Sequence, residues 1–348
     1  MNVIFSTTRQ WNPGDEFILM GCMNLLKEHL GEFNPVIYNR NPQIRRHRKY
    51  DLIKSVDNAL GKDFIEKFND NSVKDRLPMD YADMVIFAGS PEWRGMRTQK
   101  LYSSILEYNL PTLFLGLGTN GKFEFNESAF SKDEMAVFKK AKVVTCRDQN
   151  TTDGLSDVSA KFLPCPALFS SPTESLVKKV KRIGLIYGTN NSAKNNNVSK
   201  ETYEYLMQIY NRIITEFGSD YEIEFVAHYI DELSEFKKDF PEQKLRYSFD
   251  SKDYLDIYSQ YDLIIGYRVH GVGMCASMGI PGIMIAHDPR AVTVKGFKAK
   301  IHNVGEGEEK LIATTKDLIN NIEELSSELL EHKKETKQKY LQLFSQNL

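Results

Sequence analysis

Short apolar runs alternate with longer amphipathic stretches along the chain. Each run is rich in Val, Ile, Leu and Phe, and a proline-rich stretch at residues 163–172 divides the runs into two series. Because parallel strands are buried on both faces, such runs separated by helical periods predict parallel sheets covered by helices. The first series contains Val3–Phe5, Met84–Phe87, Thr112–Leu115 and Lys142–Thr145, and the second contains Arg182–Tyr187, Ile223–Val226, Leu263–Ile265 and Gly282–Ile285.

The two series predict an α/β protein with two Rossmann-like domains. A chain of 348 residues exceeds the length at which a single hydrophobic core usually keeps growing. We place the first domain at residues 1–165 and the second at residues 175–315. Residues 316–348 carry apolar side chains at helical spacing among many Glu and Lys residues, which predicts a terminal helix that packs across both domains.

The composition is that of an ordinary folded protein. Apolar residues make up 41% of the chain and charged residues 26%, and the net charge of −2 provides no field that would attract nucleic acid. The four cysteines are far apart and have no histidine at metal-ligand spacing, so we predict reduced thiols and no metal site. No segment is apolar for long enough to form a signal-peptide core or a membrane span. We therefore expect a cytoplasmic protein, which would meet the inner face of the membrane only through a partner or a lipid-linked substrate.

Side chains suited to anion binding follow two of the predicted strands. Arg147 follows the last run of the first series, and Arg268 and His270 follow the third run of the second series. The carboxyl ends of parallel strands form the ligand-binding edge of such sheets, and a following helix offers free backbone N–H groups to an anion. Arginine suits carboxylate or phosphate, and histidine can exchange protons near neutral pH. The alternative is structural: Arg268 would pair with Asp262 or Asp288, and His270 would then only cap the helix.

Four segments, in the same order along the chain, resemble motifs of one known family, the polysaccharide pyruvyl transferases. None is specific alone, but together they span most of the sequence. They are Asn12-Pro13-Gly14-Asp15, Arg147-Asp148, Pro164-Cys165-Pro166-Ala167-Leu168 and Arg268-Val269-His270, which resemble the N-x-G-D, R-D, D-P-A-L and R-L-H elements respectively.

The resemblance implies two Rossmann-like domains facing a central cleft, as in B-type glycosyltransferases. Phosphoenolpyruvate, the donor substrate, would bind against the second domain, and a sugar or glycan acceptor would be reached from the first. No cofactor is implied, and arginines with a helix terminus would balance the donor's charge without a metal. The positions that correspond to donor contacts are Arg147, Arg268, Val269 and His270. Of these, Arg268 and His270 are the catalytic candidates, and His270 would transfer the proton.

Further candidates come from positions along the chain. Arg290 follows the last strand of the second series and would add positive charge to the donor pocket, unless it is simply solvated. Asn12 and Asp15 belong to the loop that resembles N-x-G-D. Glu92 and Trp93 lie in a loop that should face the cleft, where Trp93 would stack on a sugar ring or, as tryptophans do more often, fill part of the core. We take these four as candidate acceptor contacts.

The sequence departs from the family pattern at two places. Many relatives carry a run of glycines where this chain has Ala88–Trp93, and Cys165 stands where the linker motif usually has aspartate. These differences leave the predicted fold unchanged, but they affect which acceptor the protein would bind.

The implied reaction transfers the pyruvyl group to sugar hydroxyls in a polysaccharide or its lipid-linked precursor, forming a ketal and releasing phosphate. It needs both an acid and a base, because the methylene carbon is protonated while a hydroxyl attacks. Two alternatives share the fold: a glycosyltransferase that uses a nucleotide sugar, and a non-catalytic relative that binds a sugar or an anion.

Overall fold

The structure is a computed structural model, and the residues that it describes are 1–8, 12–39, 79–89, 99–119, 121–189 and 199–348. These residues form two sheets of six strands, and all the strand pairs in both sheets are parallel. The predicted fold class is therefore confirmed.

The first sheet contains the apolar runs of the first series. Its strands are β1 (Asn2–Thr7), β2 (Asn34–Asn39), β3 (Met84–Ala88), β4 (Thr112–Leu117), β5 (Val143–Cys146) and β6 (Lys161–Phe162). Their spatial order is β2-β1-β3-β4-β5-β6, so the chain builds outward from β1 on one side and then continues on the other with β3. Open α/β sheets bind ligands where the order reverses in this way, which here is at the carboxyl ends of β1 and β3.

The second sheet repeats the arrangement. Its strands are β7 (Arg182–Ile186), β8 (Glu222–Val226), β9 (Leu245–Arg246), β10 (Leu263–Gly266), β11 (Gly282–Ala286) and β12 (Lys300–Asn303). Their spatial order is β12-β11-β10-β7-β8-β9, which places the reversal between β7 and β10. The Arg268–His270 segment follows β10, so it lies at the reversal point of this sheet.

Helices connect the strands. The α-helices are α1 (Pro13–Leu30), α2 (Gln99–Glu107), α3 (Lys132–Lys140), α4 (Gln149–Gly154), α5 (Lys200–Phe217), α6 (Glu232–Asp239), α7 (Tyr254–Tyr258), α8 (Val269–Ser277), α9 (Glu308–Asn320) and α10 (Ile322–Asn347). Short 3₁₀ segments occur at Met79–Tyr81, Ser156–Val158, Pro166–Phe169, Ser251–Asp253 and Pro289–Phe297.

The first helix, α1, joins the two halves of the chain. It begins where the side chain of Asn12 accepts a hydrogen bond from the backbone N–H of Gly14 over 3.0 Å, with Pro13 in its first turn. A Cβ atom at Gly21 would lie 1.7 Å from the carbonyl oxygen of Pro166, so only glycine lets the linker approach this closely. One apolar cluster accordingly runs from α1 and the first sheet through the linker into the second sheet.

The predicted terminal helix over residues 316–348 is wrong in its extent. The chain forms two helices, because the helical path breaks at Asn321, between α9 and α10. The side-chain amide of Asn321 donates to the backbone carbonyl of Asp317 over 3.0 Å, and asparagine competes for backbone groups in this way at helix ends.

The last helix, α10, contacts both halves of the chain. Lys337 pairs with Glu28 of α1 over 3.0 Å, and the ammonium group of Lys333 donates to the carbonyl of Ser277 at the end of α8 over 2.5 Å. Within the described part of the chain, none of the helices has the length and apolar character needed to cross a bilayer.

Candidate functional site

The amino ends of α1 and α8 meet between the two sheets. His270 lies in the first turn of α8, and a Cβ atom at Gly14 of α1 would be 2.8 Å from its Nδ1. Glycine at this position therefore allows the two helix ends to approach each other. The positive ends of two helix dipoles converge here, which favours an anionic ligand.

Arg147 brings a cation from the first sheet to the same place. It follows β5 directly, is 9% exposed, and has its Nη1 at 3.1 Å from Nε2 of His270. Arginine has only donors, so Nε2 of His270 is the acceptor and the ring proton is on Nδ1. His270 is therefore a neutral imidazole with a lone pair directed toward Arg147.

Burial and two nearby cations keep His270 neutral. Burial lowers its pKa well below the ordinary value, and the nearby cations Arg147 and Arg290 lower it further. An anion bound between these cations would offset their charge. Binding of an anionic substrate should therefore raise the pKa of His270.

We expect the protein to lose stability as the pH falls from about 7 toward 5. Burial lowers the pKa values of His228 and His270, whereas the same side chains in the unfolded chain titrate near the ordinary value of about 6.5. Below that pH the unfolded state binds more protons than the folded state, so the free energy of unfolding decreases. Urea unfolding between pH 5 and 8 would measure this, and a flat profile below pH 6.5 would contradict it.

Gly118 makes room for Arg147. A Cβ atom at Gly118 would lie 2.3 Å from Nε of Arg147, so we expect Gly118→Ala to push the guanidinium away from His270. Displacement by about 1 Å can lower a rate by up to about a hundredfold, which an activity assay would detect. Gly121→Ala is the matched control, because no atom lies within 4 Å of its Cβ position. Equal activity of the two variants would show that the position of Arg147 does not matter.

Arg290 lies in the 3₁₀ segment after β11, and Asp288 holds it in place. The guanidinium donates to Oδ2 of Asp288 from Nε over 3.0 Å and from Nη2 over 2.5 Å, and the backbone N–H of Arg290 donates to Oδ1 over 2.8 Å. The Arg290 side chain is 33% exposed. It is therefore a fixed, partly accessible cation near His270, rather than a freely solvated one.

Arg268 is held by a buried carboxylate that none of the sequence motifs contains. Its Nη2 donates over 2.5 Å to Oε1 of Glu232, whose side chain is fully buried. The other oxygen of Glu232 accepts the backbone N–H groups of His228 and Tyr229, over 2.7 and 3.0 Å. The rings of Tyr229 and Tyr267 lie 4.3 and 4.8 Å from the guanidinium carbon. Although burial opposes the charge, Tyr267 and Glu232 raise the pKa of Arg268, which stays a cation.

The partners suggested by sequence for Arg268 were wrong. Asp262 accepts the backbone N–H groups of Lys181 and Arg182, over 2.7 and 2.9 Å, and Asp288 pairs with Arg290. Both aspartates are closer in sequence to Arg268 than Glu232 is. Glu232 lies close to Arg268 because of the strand order: β8, which precedes Glu232, lies beside β7 at the reversal point.

The remaining predicted residues occupy different places. Val269 is half-buried and packs against the main apolar cluster at the start of α8, while Asn12 caps α1. Asp15 lies in the first turn of α1, where its negative charge adds to the burial that raises the pKa of Cys165 in the linker. Glu92 and Trp93 lie outside the described residues. The four acceptor assignments stay predictions.

Two further polar residues, His228 and Asp148, lie at strand ends next to the site and are held by hydrogen bonds of their own. His228, at the end of β8, is buried and has its Nε2 at 2.5 Å from the hydroxyl of Tyr258. It is a hydrogen-bonded strand-end histidine. Asp148, beside Arg147, accepts the N–H and hydroxyl of Thr151 over 2.8 Å each and thereby caps α4. Asp148 belongs to the segment that resembles the R-D motif, and His228 follows the end of β8.

Two parallel six-stranded sheets, with charged residues converging from both, place the chain in the GT-B type of fold. Solved structures share it at low sequence identity, which shows the fold alone. One is UDP-GlcNAc 2-epimerase from Neisseria meningitidis bound to UDP-GlcNAc, with a TM-score of 0.56, 11% identity and 100% of both chains covered. Another is UDP-GlcNAc 2-epimerase from Methanocaldococcus jannaschii in complex with UDP-GlcNAc and UDP, with a TM-score of 0.52, 13% identity and coverage of 92% of this chain and 93% of that one. A third is Anabaena Alr3699/HepE in complex with UDP-glucose, with a TM-score of 0.51, 9% identity and coverage of 99% of this chain and 100% of that one.

The family follows from the sequence match. The model of the polysaccharide pyruvyl transferase family matches residues 12–289, which is most of the chain. The protein therefore belongs to the polysaccharide pyruvyl transferase family, a family of transferases. No curated protein matches the chain.

Proposed function

We propose that the protein transfers the pyruvyl group of phosphoenolpyruvate to two hydroxyls of a sugar, in a polysaccharide or its lipid-linked precursor, forming a cyclic ketal and releasing phosphate. The observation that carries this proposal is the contact between Arg147 and His270. It joins a cation of the first sheet to a neutral imidazole of the second, where two helices begin. A small anion that undergoes proton transfer suits this arrangement.

The donor's carboxylate and phosphate would be held by cations from both halves of the chain. Arg147 and Arg290 are close enough to His270 to lower its pKa. Nε of Arg268 is buried, and no atom accepts a hydrogen bond from it in the part of the chain that the structure describes. Because an unpaired buried donor is costly, an anionic oxygen at that point would stabilise the protein.

The reaction consists of two additions to C2 of the donor. The oxygen of one sugar hydroxyl bonds to C2 while C3 takes up a proton and becomes the methyl group. The C2–O bond to phosphate then breaks, and its electron pair leaves with the phosphate. The second hydroxyl bonds to C2 and gives up its proton, which the phosphate accepts. One donor and one diol thus yield one ketal and one phosphate.

His270 is suited to the first proton transfer. Its Nε2 lone pair can take the proton of the attacking hydroxyl and pass it to C3, once the N–H of Arg147 turns to the donor. The two arginines oppose a positive charge on His270 until the donor offsets them. Proton transfer would therefore depend on donor occupancy.

Thermal unfolding with different ligands tests the proposal. We expect phosphoenolpyruvate to raise the Tm and UDP or GDP to leave it unchanged, since a ligand present at 100 times its Kd stabilises the folded state by about 2.7 kcal/mol. A shift with a nucleotide and none with phosphoenolpyruvate would favour a glycosyltransferase. An equal shift with inorganic phosphate would indicate a general anion site, as in a non-catalytic relative. Either result would overturn the proposal.

A further inference from the structure

Two aromatic side chains follow β9 at the carboxyl edge of the second sheet. Phe249 is 74% exposed, and its ring meets that of Tyr247 edge to face, with 5.2 Å between the centroids. Large apolar side chains that remain exposed beside a ligand-binding edge are candidates for ligand contacts. Neither residue has a part in holding the donor as proposed above.

The turn that carries Phe249 is fixed by hydrogen bonds. The hydroxyl of Ser248 donates to Asp253 over 2.6 Å and accepts the backbone N–H of Asp250 over 3.0 Å. The side chain of Asp250 in turn accepts the backbone N–H of Lys252 over 2.9 Å. The phenyl ring is therefore presented on an ordered turn, so a ligand that binds it would not have to order the backbone.

The same turn adjoins the donor-binding residues. The backbone N–H of Ala227 donates to the carbonyl of Arg246 over 2.9 Å, and the next residue, His228, donates its backbone N–H to Glu232 over 2.7 Å. Tyr247 therefore begins beside the residues that meet Glu232, and the charges of Glu232 and Asp231 add to the burial that raises its pKa. Glu232 is the residue that holds Arg268. The aromatic pair and Arg268 thus lie near one buried carboxylate.

The turn is also tied to the first half of the chain. The hydroxyl of Tyr254 donates to the carbonyls of Ala227 and Ser248, over 2.6 and 3.4 Å. The ring of Tyr254 lies 5.7 Å from that of Phe17 in α1. This places the turn beside the point where α1 meets the second half of the chain.

We propose that Tyr247 and Phe249 form an acceptor subsite in which the ring of Phe249 stacks on the face of a sugar ring. This rests on the proposed function, which requires a sugar acceptor in the cleft. The apolar C–H face of a sugar suits the face of an aromatic ring, and its hydroxyls suit carboxylate acceptors. Two such carboxylates, Asp231 and Asp250, are exposed nearby. Since they would repel the anionic headgroups of a membrane surface, their charge favours a neutral sugar as the occupant.

The experiment compares two variants of equally exposed aromatic residues. Methyl glycosides of galactose, glucose, mannose and N-acetylglucosamine serve as probes, and saturation-transfer NMR titrations without donor give the Kd of each. We expect Phe249→Ala to raise the Kd of the best-bound glycoside by about tenfold, since burying a phenyl ring changes an equilibrium constant by that order. Tyr81→Ala is the control, because Tyr81 is 70% exposed and precedes β3 at the opposite edge of the first sheet. It should leave every Kd unchanged.

The outcomes separate this inference from the proposed function. Absence of binding of all four glycosides to the wild-type protein would overturn the subsite, as would equal Kd values for Phe249→Ala and wild type. Binding to phosphatidylglycerol vesicles that is lost only in Phe249→Ala, with unchanged glycoside binding, would reassign the patch to a membrane and also overturn it. Because the donor is absent from these titrations, a failure of phosphoenolpyruvate to shift the Tm would be a separate result.

Discussion

The His270→Gln variant should bind phosphoenolpyruvate and yet fail to release phosphate when a sugar acceptor is present. Glutamine offers an oxygen that can accept the N–H of Arg147, so the contact between the two sheets, 3.1 Å in this structure, can be replaced. It has no group that takes up a proton near neutral pH. Because acid–base groups contribute about 10²–10⁴-fold to rates, we expect a loss of that size.

Two measurements on the same variant separate binding from chemistry. The Tm shift produced by phosphoenolpyruvate should be close to that of the wild-type protein, while acceptor-dependent phosphate release falls. His332→Gln is the control, because His332 lies on α10, where its Nε2 is 3.0 Å from the carbonyl oxygen of Gly296. Unchanged phosphate release in His270→Gln would remove this residue from the mechanism.

Replacing Arg268 by methionine should both destabilise the protein and weaken donor binding. The substitution leaves the Glu232 carboxylate buried without its cation, and the Glu232 side chain is fully buried. Removing one partner of a buried ion pair costs about 3–5 kcal/mol. Urea unfolding at pH 7 would show this loss as a lower midpoint.

A double variant tests whether the lost charge pair is the cause. Glu232→Gln retains an oxygen for the backbone N–H groups of His228 and Tyr229 while removing the buried charge. In combination with Arg268→Met it should restore part of the stability without restoring the Tm shift by phosphoenolpyruvate. A double variant no more stable than Arg268→Met alone would mean that packing against Tyr229 and Tyr267, rather than charge, fixes Arg268.

The eight central strands could be placed from the sequence because they are buried on both faces. β3 is entirely buried and corresponds to an uninterrupted apolar run. The strands at the sheet edges escaped prediction: β6 is exposed at both of its residues, and β9 is only two residues long and partly exposed. An edge strand lacks a neighbour on one side, so its sequence carries no comparable apolar run.

The two-sheet α/β architecture, the family, and the strand ends that carry Arg147 and Arg268–His270 could all be inferred from the sequence. Local patterns suffice for these, because burial sets the apolar period and the motifs are contiguous. The folded structure was needed to show that Arg147 contacts His270, 123 positions away, and that Glu232 rather than Asp262 holds Arg268. These contacts depend on strand order and on how α1 packs against α8, and neither is encoded by the spacing of residues along the chain.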